Sequence, residues 1–306
     1  MQQNRILILG RVGQVGWELR HKLACLGEIV SVDYPEIDFT RAETLREAVQ
    51  RLHPQVIVNA AAYTAVDKAE TEQDLAMTIN GTAPGVLAEE ARKLGALLVH
   101  YSTDYVFDGA GSSARTESDP TGPLNVYGKT KLAGDLAIQA SGCDHLIFRT
   151  SWVYGTRGNN FLLTMLRLAK ERKQLSIVSD QIGAPTTSEC IAEATASVLA
   201  QLLSPAGPGI QGRSGVYNLT SAGETSWFGF AAKIFELAQS TLGIEAPELE
   251  AIPTSAFPRP ATRPMNSRLS GDKLAASFGL RLPDWEFALA LVLESLSAAT
   301  EYSNRA

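Results

Sequence analysis

A tyrosine and a lysine four residues apart form the residue pair in this sequence that is best suited to acid–base chemistry. Tyr127 and Lys131 would share one face of a helix predicted over residues 126–140. A nearby ammonium group favours the phenolate, so we expect the pKa of the tyrosine to fall from its reference value of about 10. Such a tyrosine can act as a general acid or base. Ser102 and Thr103, at the end of the preceding predicted strand, offer hydroxyls to a carbonyl oxygen, unless they only form a turn.

A glycine-rich loop supplies a second chemical signal. Its residues Gly10, Gly13 and Gly16 directly follow a predicted strand over 6–9 and open the first predicted helix. Glycines allow a tight turn and a close backbone approach to a pyrophosphate, and the helix N-terminus adds free N–H groups. The spacing is GxxGxxG, a variant of the dinucleotide fingerprint. The loop therefore predicts dinucleotide binding, and the alternative is a glycine turn needed only for packing.

Two residues give conflicting indications about the cofactor. Asp33 ends the second predicted strand, where a carboxylate can accept hydrogen bonds from an adenosine ribose and favours NAD. Arg11, inside the glycine loop, could pair with the 2′-phosphate of NADP. The residues alone leave the choice between the two cofactors open.

These residues require a parallel sheet to position them. Short apolar strands at 6–9, 29–32, 56–59, 97–102 and 145–149 alternate with helices at 13–26, 41–52, 74–94 and 126–140. Strands that are apolar on both faces and alternate with helices predict an α/β fold with a Rossmann-type, doubly wound parallel sheet. The dinucleotide-binding domain is predicted over 1–150, together with the helix over 190–204. Residues 151–306 are predicted to form mostly a smaller α/β lobe that binds the substrate.

The second half has a looser pattern. Residues 204–215 are predicted to be a loop, and the proline-rich segment 247–264 extended or turn. The remaining predicted elements are helices at 161–172, 191–203, 227–242, 273–278 and 285–299, and a strand at 175–178.

Composition excludes several classes of protein. The 306 residues carry 27 Lys and Arg against 33 Asp and Glu, a formal net charge of −6, with no basic run. We therefore expect no nucleic-acid partner. No segment has the roughly 20 consecutive apolar residues of a membrane span, so no membrane partner is expected either. The 3 cysteines lie far apart and away from histidines, which predicts neither disulfides nor zinc and favours a reducing cytoplasm.

Longer motifs carry a family resemblance. The stretches that match are 10–19, VIVNAAAYTAVDKAE (56–70), 100–109 with STDYVFDG, 123–134, 148–155 with RTSWVYG, DQIGAPT (180–186) and RPMNSRL (263–269). With these motifs the chain resembles the extended short-chain dehydrogenase/reductase superfamily and, within it, the dTDP-4-dehydrorhamnose reductases, over nearly its whole length. The resemblance implies reduction of the 4-keto group of dTDP-4-dehydro-β-L-rhamnose to dTDP-L-rhamnose, with NADPH, or NADH, as cofactor.

The resemblance also implies residue roles. Tyr127 would be the proton donor, Lys131 its ribose-binding partner and Thr103 the catalytic hydroxyl. The residues implied to bind the cofactor are Gly13, Gln14, Val15, Asp33, Asp38, Phe39, Ala62, Tyr63, Thr64 and Tyr101. Thr103, Asp104 and Trp152 would hold the sugar nucleotide, although by pattern alone Trp152 could be an ordinary core aromatic. We add the hypothesis that Arg263, Arg268 or both bind the dTDP pyrophosphate beside Asn266; the alternative is that they are surface arginines.

A metal site and the oligomeric state stay open. Some relatives bind Mg²⁺ through glutamates at a dimer contact, and two matching positions here are Glu18 and Glu189, whereas the third is Ser295, next to Glu294. Mg²⁺ prefers several oxygen ligands, and the third position lacks a carboxylate. The sequence therefore leaves open whether the protein binds Mg²⁺ and whether it is a monomer or a homodimer. Glu18 could equally be a solvent-facing residue of the first helical turn.

Two other functions compete with the reductase. One is a nucleotide-sugar dehydratase or epimerase on the same fold. A dehydratase needs a second carboxylate beside Asp104, where this chain has Tyr105. The other is a non-catalytic, NADP-binding regulatory subunit, against which the complete set Thr103, Tyr127 and Lys131 argues.

Overall fold

The computed structural model of the protein describes residues 4–305. Its strands are β1 (Arg5–Leu9), β2 (Glu28–Val32), β3 (Val56–Asn59), β4 (Leu97–Thr103), β5 (His145–Thr150), β6 (Val153–Tyr154), β7 (Gln174–Val178), β8 (Ile182–Gly183), β9 (Thr186–Thr187), β10 (Gly215–Asn218), β11 (Thr225–Ser226) and β12 (Glu248–Ile252). Its helices are α1 (Gln14–Lys22), α2 (Ala42–Leu52), α3 (Val66–Ala69), α4 (Gln73–Met77), α5 (Ala83–Leu94), α6 (Val126–Ser141), α7 (Phe161–Glu171), α8 (Ser188–Leu203), α9 (Trp227–Leu242), α10 (Asp272–Phe278) and α11 (Trp285–Arg305).

The central sheet is parallel, as the sequence predicts. Within residues 4–305 it has six strands in the order β10-β5-β4-β3-β1-β2. Successive side chains of a strand point to opposite faces. Ile6 and Ile8 accordingly pack into one apolar core with α1, α8 and α10, while Leu7 and Leu9 pack into another with α2, α5 and α6. The doubly wound Rossmann-type fold is confirmed.

Several local predictions were incomplete: the helix predicted over 13–26 ends at Lys22, and the two-residue strands β6, β8, β9 and β11 were missed. The strand β10 was missed, because four residues with mixed polarity give no strand signal and only pairing with β5 determines it. The helix predicted over 74–94 is divided into α4, a π-helical segment Thr78–Thr82, and α5. Pro84, which has no N–H to donate to a preceding turn, lies at the beginning of α5.

The rest of the second half has its own apolar core, built from α7, β7, α9 and α11. In this lobe β12 pairs in parallel with β7, so the proline-rich segment is extended where it begins. Two elements that follow residue 151, α8 and β10, lie instead against the central sheet. The division of the chain near residue 150 stays a prediction.

Candidate active site

Tyr127 and Lys131 lie in the first turns of α6, where the predicted i, i+4 arrangement occurs. The helix begins after Asn125, whose side chain accepts a hydrogen bond from the N–H of Gly128 at 2.8 Å. The Lys131 side chain is buried, and its Nζ donates to the main-chain carbonyl of Tyr101 at 2.6 Å. Capping at Asn125 thus fixes where the helix starts and which face carries both residues.

The expected electrostatic effect of Lys131 on Tyr127 is wrong for this structure. Burial raises the pKa of Tyr127 to about 12, and a hydrogen bond with the Thr103 side chain acts in the opposite direction. Burial also lowers the pKa of Lys131 to about 8. Nζ of Lys131 donates to the carbonyl of Tyr101, and desolvation outweighs the effects that lower the pKa of the phenol. The sequence shows the spacing of the two side chains but not their desolvation.

The end of β4 brings a hydroxyl and a carboxyl beside the tyrosine. Thr103 is buried; its Oγ1 donates to Oδ1 of Asp104 at 3.1 Å and accepts from the N–H of Tyr105 at 3.2 Å. Burial raises the pKa of Asp104 to about 7. The ring of Tyr105 meets that of Tyr127 edge to face, with centroids 5.6 Å apart. Thr103, Asp104 and Tyr127 therefore form one polar cluster.

Two buried side chains of opposite charge, Asp135 and Arg149, lie next to Ser102. Asp135, one turn after Lys131 on α6, accepts a hydrogen bond from Ser102 at 2.8 Å and lies 3.5 Å from Nε of Arg149. Burial raises the pKa of Asp135, while the charges of Arg149 and Lys131 act against this. Ser102, the second hydroxyl considered from the sequence, is therefore occupied by Asp135, which leaves Thr103 to face Tyr127.

The glycine loop has the backbone geometry that a pyrophosphate needs. Gly10 has φ +87°, and a Cβ there would lie 2.6 Å from the backbone nitrogen of Ala61. A Cβ on Gly16 would lie 1.9 Å from the carbonyl oxygen of Gly10. Gly13 precedes α1 and provides no side-chain cap, so the first N–H groups of α1 can bind an anion. The residues present therefore fit a dinucleotide.

Other predicted cofactor residues surround this loop. Gln14, at the first turn of α1, accepts a hydrogen bond from Asn160 at 2.9 Å, and Val15 packs against the core. At the end of β2, Asp33 accepts a hydrogen bond from the N–H of Val12 at 3.0 Å. Asp38 accepts from Thr40, and Phe39 packs against the core beside it.

The segment after β3 lies between the loop and α6. Its residues Ala62, Tyr63 and Thr64 are held by Asn80, which exchanges two hydrogen bonds with the backbone of Tyr63. The Tyr63 hydroxyl donates to Glu72. Tyr101 is buried, and its hydroxyl pairs with that of Thr195 on α8 at 2.8 Å.

A cavity of about 820 Å³ opens beside the polar cluster. Tyr105 and Trp227 line it, together with Arg259 and Arg263 from the segment after β12. Nη1 of Arg263 lies 3.0 Å from Oδ1 of Asp67 on α3. The cavity is lined mainly by apolar residues, with three guanidinium groups, those of Arg172, Arg259 and Arg263, among its lining residues.

Trp152 stacks on a wall of this cavity. Its ring is 3.7 Å from that of Trp227 with an interplanar angle of 13°. It has φ +49°, which a bulky residue adopts only where its surroundings hold it. A Cβ on Gly183 would lie 2.8 Å from the Trp152 ring, so glycine leaves room for it. Trp152 thus packs behind Trp227, which lines the cavity, and its binding role stays a prediction.

The other two residues of the pyrophosphate hypothesis lie apart from the lining of this cavity. Asn266 is buried and donates to the carbonyl of Ser113 at 2.8 Å. Arg268 binds Glu224 through Nε at 2.5 Å and Nη2 at 3.1 Å. The structure therefore brings Arg263, but neither Asn266 nor Arg268, to the cavity.

Comparison with known proteins decides the family. The family model described as RmlD substrate binding domain matches residues 4–298. The chain is 50% identical over 295 residues to a dTDP-4-dehydrorhamnose reductase from Burkholderia thailandensis, covering 95% of this chain and 99% of that protein. This chain belongs to the dTDP-4-dehydrorhamnose reductase family.

Solved structures of this reductase family have the same fold. A dTDP-4-dehydrorhamnose reductase from Clostridium acetobutylicum is 36% identical with a TM-score of 0.87, covering 95% of this chain and 99% of that chain. One from Bacillus anthracis, in complex with NADP, is 34% identical with a TM-score of 0.87, covering 96% of this chain and 100% of that chain. The resemblance inferred from the motifs is confirmed.

The magnesium site that the resemblance implies at Glu18 and Glu189 stays a prediction. Nζ of Lys22 lies 2.7 Å from Oε1 of Glu189 and 2.7 Å from Oε1 of Glu193. The charge of Glu189 also contributes to a raised pKa of Glu18, after burial. In the part of the chain that the structure describes, no group of three His, Cys, Asp or Glu residues could hold a metal ion. In a single chain, the ammonium group of Lys22 is thus the cation that pairs with Glu189.

Several residues of the site were missed in the sequence. His100 is buried next to Lys131, and Asp135 lies one turn beyond it. Trp227, Arg259 and Asp67 surround the cavity from distant parts of the chain. The spacing of one helical turn after Lys131 could have identified Asp135. The other residues come together only in the folded chain, so no sequence pattern identifies them.

Proposed function

We propose that this protein reduces the 4-keto group of dTDP-4-dehydro-β-L-rhamnose to dTDP-L-rhamnose, with NADPH, or NADH, as reductant. One observation carries the proposal: the Thr103 hydroxyl, which donates to Asp104 at the end of β4, acts to lower the pKa of Tyr127, in a chain 50% identical to a reductase of that name. Tyr105, whose ring packs edge to face on that of Tyr127, lines the cavity, so the polar cluster lies next to the proposed substrate site.

Tyr127 would supply the proton. When bound, the reduced nicotinamide supplies the hydride that C4 of the sugar receives. Tyr127 then donates its phenolic proton to the C4 oxygen as negative charge develops there. Because burial keeps the pKa of Tyr127 near 12, the group is protonated before the reaction, as a proton donor must be.

Thr103 and Lys131 would hold the reacting groups in place. The Thr103 hydroxyl can turn its hydrogen from Asp104 to the C4 oxygen, which stabilises the alkoxide character of the transition state. Lys131 has its Nζ fixed by the carbonyl of Tyr101 and by Nε2 of His100, and its remaining N–H group can bind a hydroxyl of the nicotinamide ribose. The lysine would thus orient the cofactor and compensate the phenolate that forms on Tyr127.

The cavity would take the nucleotide part of the substrate. Its apolar walls suit the thymine base and deoxyribose, and Trp152 with Trp227 suits the sugar. Arg263 can bind the pyrophosphate by exchanging Asp67 for phosphate oxygens. Asn266 and Arg268 would support the adjoining segment.

The rival activities have less support. Tyr105 stands where a dehydratase needs its second carboxylate, and its ring packs on Tyr127. Neighbours such as a UDP-glucose 4-epimerase from Thermus thermophilus, at 20% identity and a TM-score of 0.77, share the fold alone.

In the described part of the chain, no helix is long and apolar enough to cross a membrane. We place the enzyme in the cytoplasm, where its nucleotide substrates are made.

Oxidation of NADPH by the purified protein tests this function. Adding dTDP-4-dehydro-β-L-rhamnose should cause stoichiometric oxidation of NADPH, and the Tyr127→Phe variant should be almost inactive. No oxidation by the wild-type protein, although it binds NADPH, would contradict the proposal and favour a regulatory role. Tight retention of NAD without net turnover would favour an epimerase.

A further inference from the structure

Both terminal nitrogens of Arg11 are engaged at the adenosine end of the proposed cofactor site. Nη1 donates to the main-chain carbonyl of Ser31 at 3.0 Å, and Nη2 donates to Oε1 of Glu36 at 2.8 Å. The hydrogen bond from Arg11 holds the pKa of the Glu36 carboxyl below its usual value, so this group is ionised at neutral pH. The guanidinium therefore already has an anionic partner.

A second carboxylate lies at the same corner. Asp33 accepts a hydrogen bond from the N–H of Val12, and Oε2 of Glu36 accepts one from the N–H of Asp33 at 3.3 Å. Glu36 thus bridges the end of β2 and the glycine loop through Arg11. Two carboxylates can accept hydrogen bonds from a ribose diol, whereas a 2′-phosphate needs the guanidinium.

We infer that Glu36 sets the choice between the two nicotinamide cofactors by competing with the adenosine 2′-phosphate for Arg11. This inference rests on the proposed function, because it concerns the cofactor of that reaction. While Glu36 holds Nη2, Arg11 has fewer N–H groups free for the paired hydrogen bonds with which arginine binds phosphate, and its charge is already compensated. The competition weakens the preference for NADPH and keeps NADH acceptable. A neutral residue at position 36 releases the guanidinium.

Calorimetric titration with ADP-ribose and its 2′-phosphate measures this choice without turnover. Glu36→Gln should raise the affinity for the phosphorylated ligand relative to the other about tenfold, the effect of one charge-assisted pairing. Arg11→Gln should lower the same ratio. The control is Glu28→Gln, which removes a comparable exposed pair with Arg5 (3.0 Å) at the opposite end of β2 and should leave the ratio unchanged.

The double variant separates competition from simple repulsion. If Glu36 acts through Arg11, Glu36→Gln leaves the ratio unchanged in a protein that already carries Arg11→Gln. An equal rise in both backgrounds would overturn the inference, and so would an unchanged ratio in the single variant. If the affinity ratios change as predicted but the protein has no reductase activity, the inference is supported and the proposed function is contradicted. The two failures are therefore distinguishable.

Discussion

Nζ of Lys131 on α6 lies 3.1 Å from Nε2 of His100 on β4, and both side chains are buried. Burial lowers the pKa of Lys131 to about 8 and that of His100 well below its usual value. His100 is therefore neutral at neutral pH, and Asp135 is the carboxylate that favours the lysine ammonium. The charge of Lys131 consequently depends on pH close to the physiological range.

Cofactor affinity should fall as pH rises through about 8. Lys131 loses its proton there, and a neutral amine is a weaker partner for the ribose beside an anionic cofactor. The folded pKa lies below that of an unfolded lysine, so the cost of burying the ammonium is present below pH 8 and is relieved as pH rises above it. Fluorescence titration of NADPH across this range measures the affinity. A Lys131→Met variant should bind more weakly without that dependence, and an affinity of the wild type that is flat in pH would contradict the prediction.

Removal of the Tyr127 hydroxyl should affect turnover and not binding. Tyr127→Phe should lower kcat by about 10²–10⁴, the contribution of a positioned general acid, and leave the dissociation constant of NADPH nearly unchanged. Tyr217→Phe is the control, because that hydroxyl donates to the carbonyl of Arg213 in the core. Stopped-flow reduction of the keto sugar separates the chemical step from binding. A normal kcat in Tyr127→Phe would show that another group supplies the proton.

Loss of Arg263 should weaken binding of the sugar nucleotide. Arg263→Ala removes a guanidinium from the cavity lining and should raise KM about tenfold with a smaller change in kcat. Arg268→Ala should raise KM less, because Arg268 is not among the residues that line the cavity and pairs with Glu224. Arg281, which is exposed and pairs with Asp272, serves as the control. Steady-state kinetics would refute the assignment if Arg263→Ala and Arg281→Ala gave the same KM as the wild type.

The buried Asp104 should make stability depend on pH. Burial raises its pKa from 3.8 to about 7, so the folded protein binds more protons than the unfolded chain between these values. Stability from this group therefore decreases as pH rises from about 4 to about 7, by an amount on the order of a few kcal/mol. Urea unfolding of Asp104→Asn should show less of this decrease than the wild type. An identical pH dependence in the two proteins would contradict the burial effect.

The sequence predicts the sheet well because its signals are local. Alternation of Ile6 and Leu7 between two apolar cores, and a glycine loop directly after them, specify β1 and the turn that follows. The strand β10 has no comparable signal, since its position depends on pairing with β5, about seventy residues away.

The site was predictable only in part for the same reason. The spacing of Tyr127 and Lys131 is visible in the sequence, whereas their pKa values depend on burial by the whole fold. The partners of Arg263 and Trp152 likewise come from distant segments, Asp67 on α3 and Trp227 on α9. Charge type and spacing therefore identify candidates, and tertiary packing decides what each one contacts.

Transfer of deuterium from the cofactor tests the central claim most directly. NADPH deuterated at C4 of the nicotinamide is incubated with the protein and dTDP-4-dehydro-β-L-rhamnose, and the product is analysed by NMR. The account predicts dTDP-L-rhamnose with deuterium at C4 of the sugar, formed by the wild type and nearly absent with Tyr127→Phe. A product labelled elsewhere, an unlabelled product, or equal labelling by both proteins would contradict it.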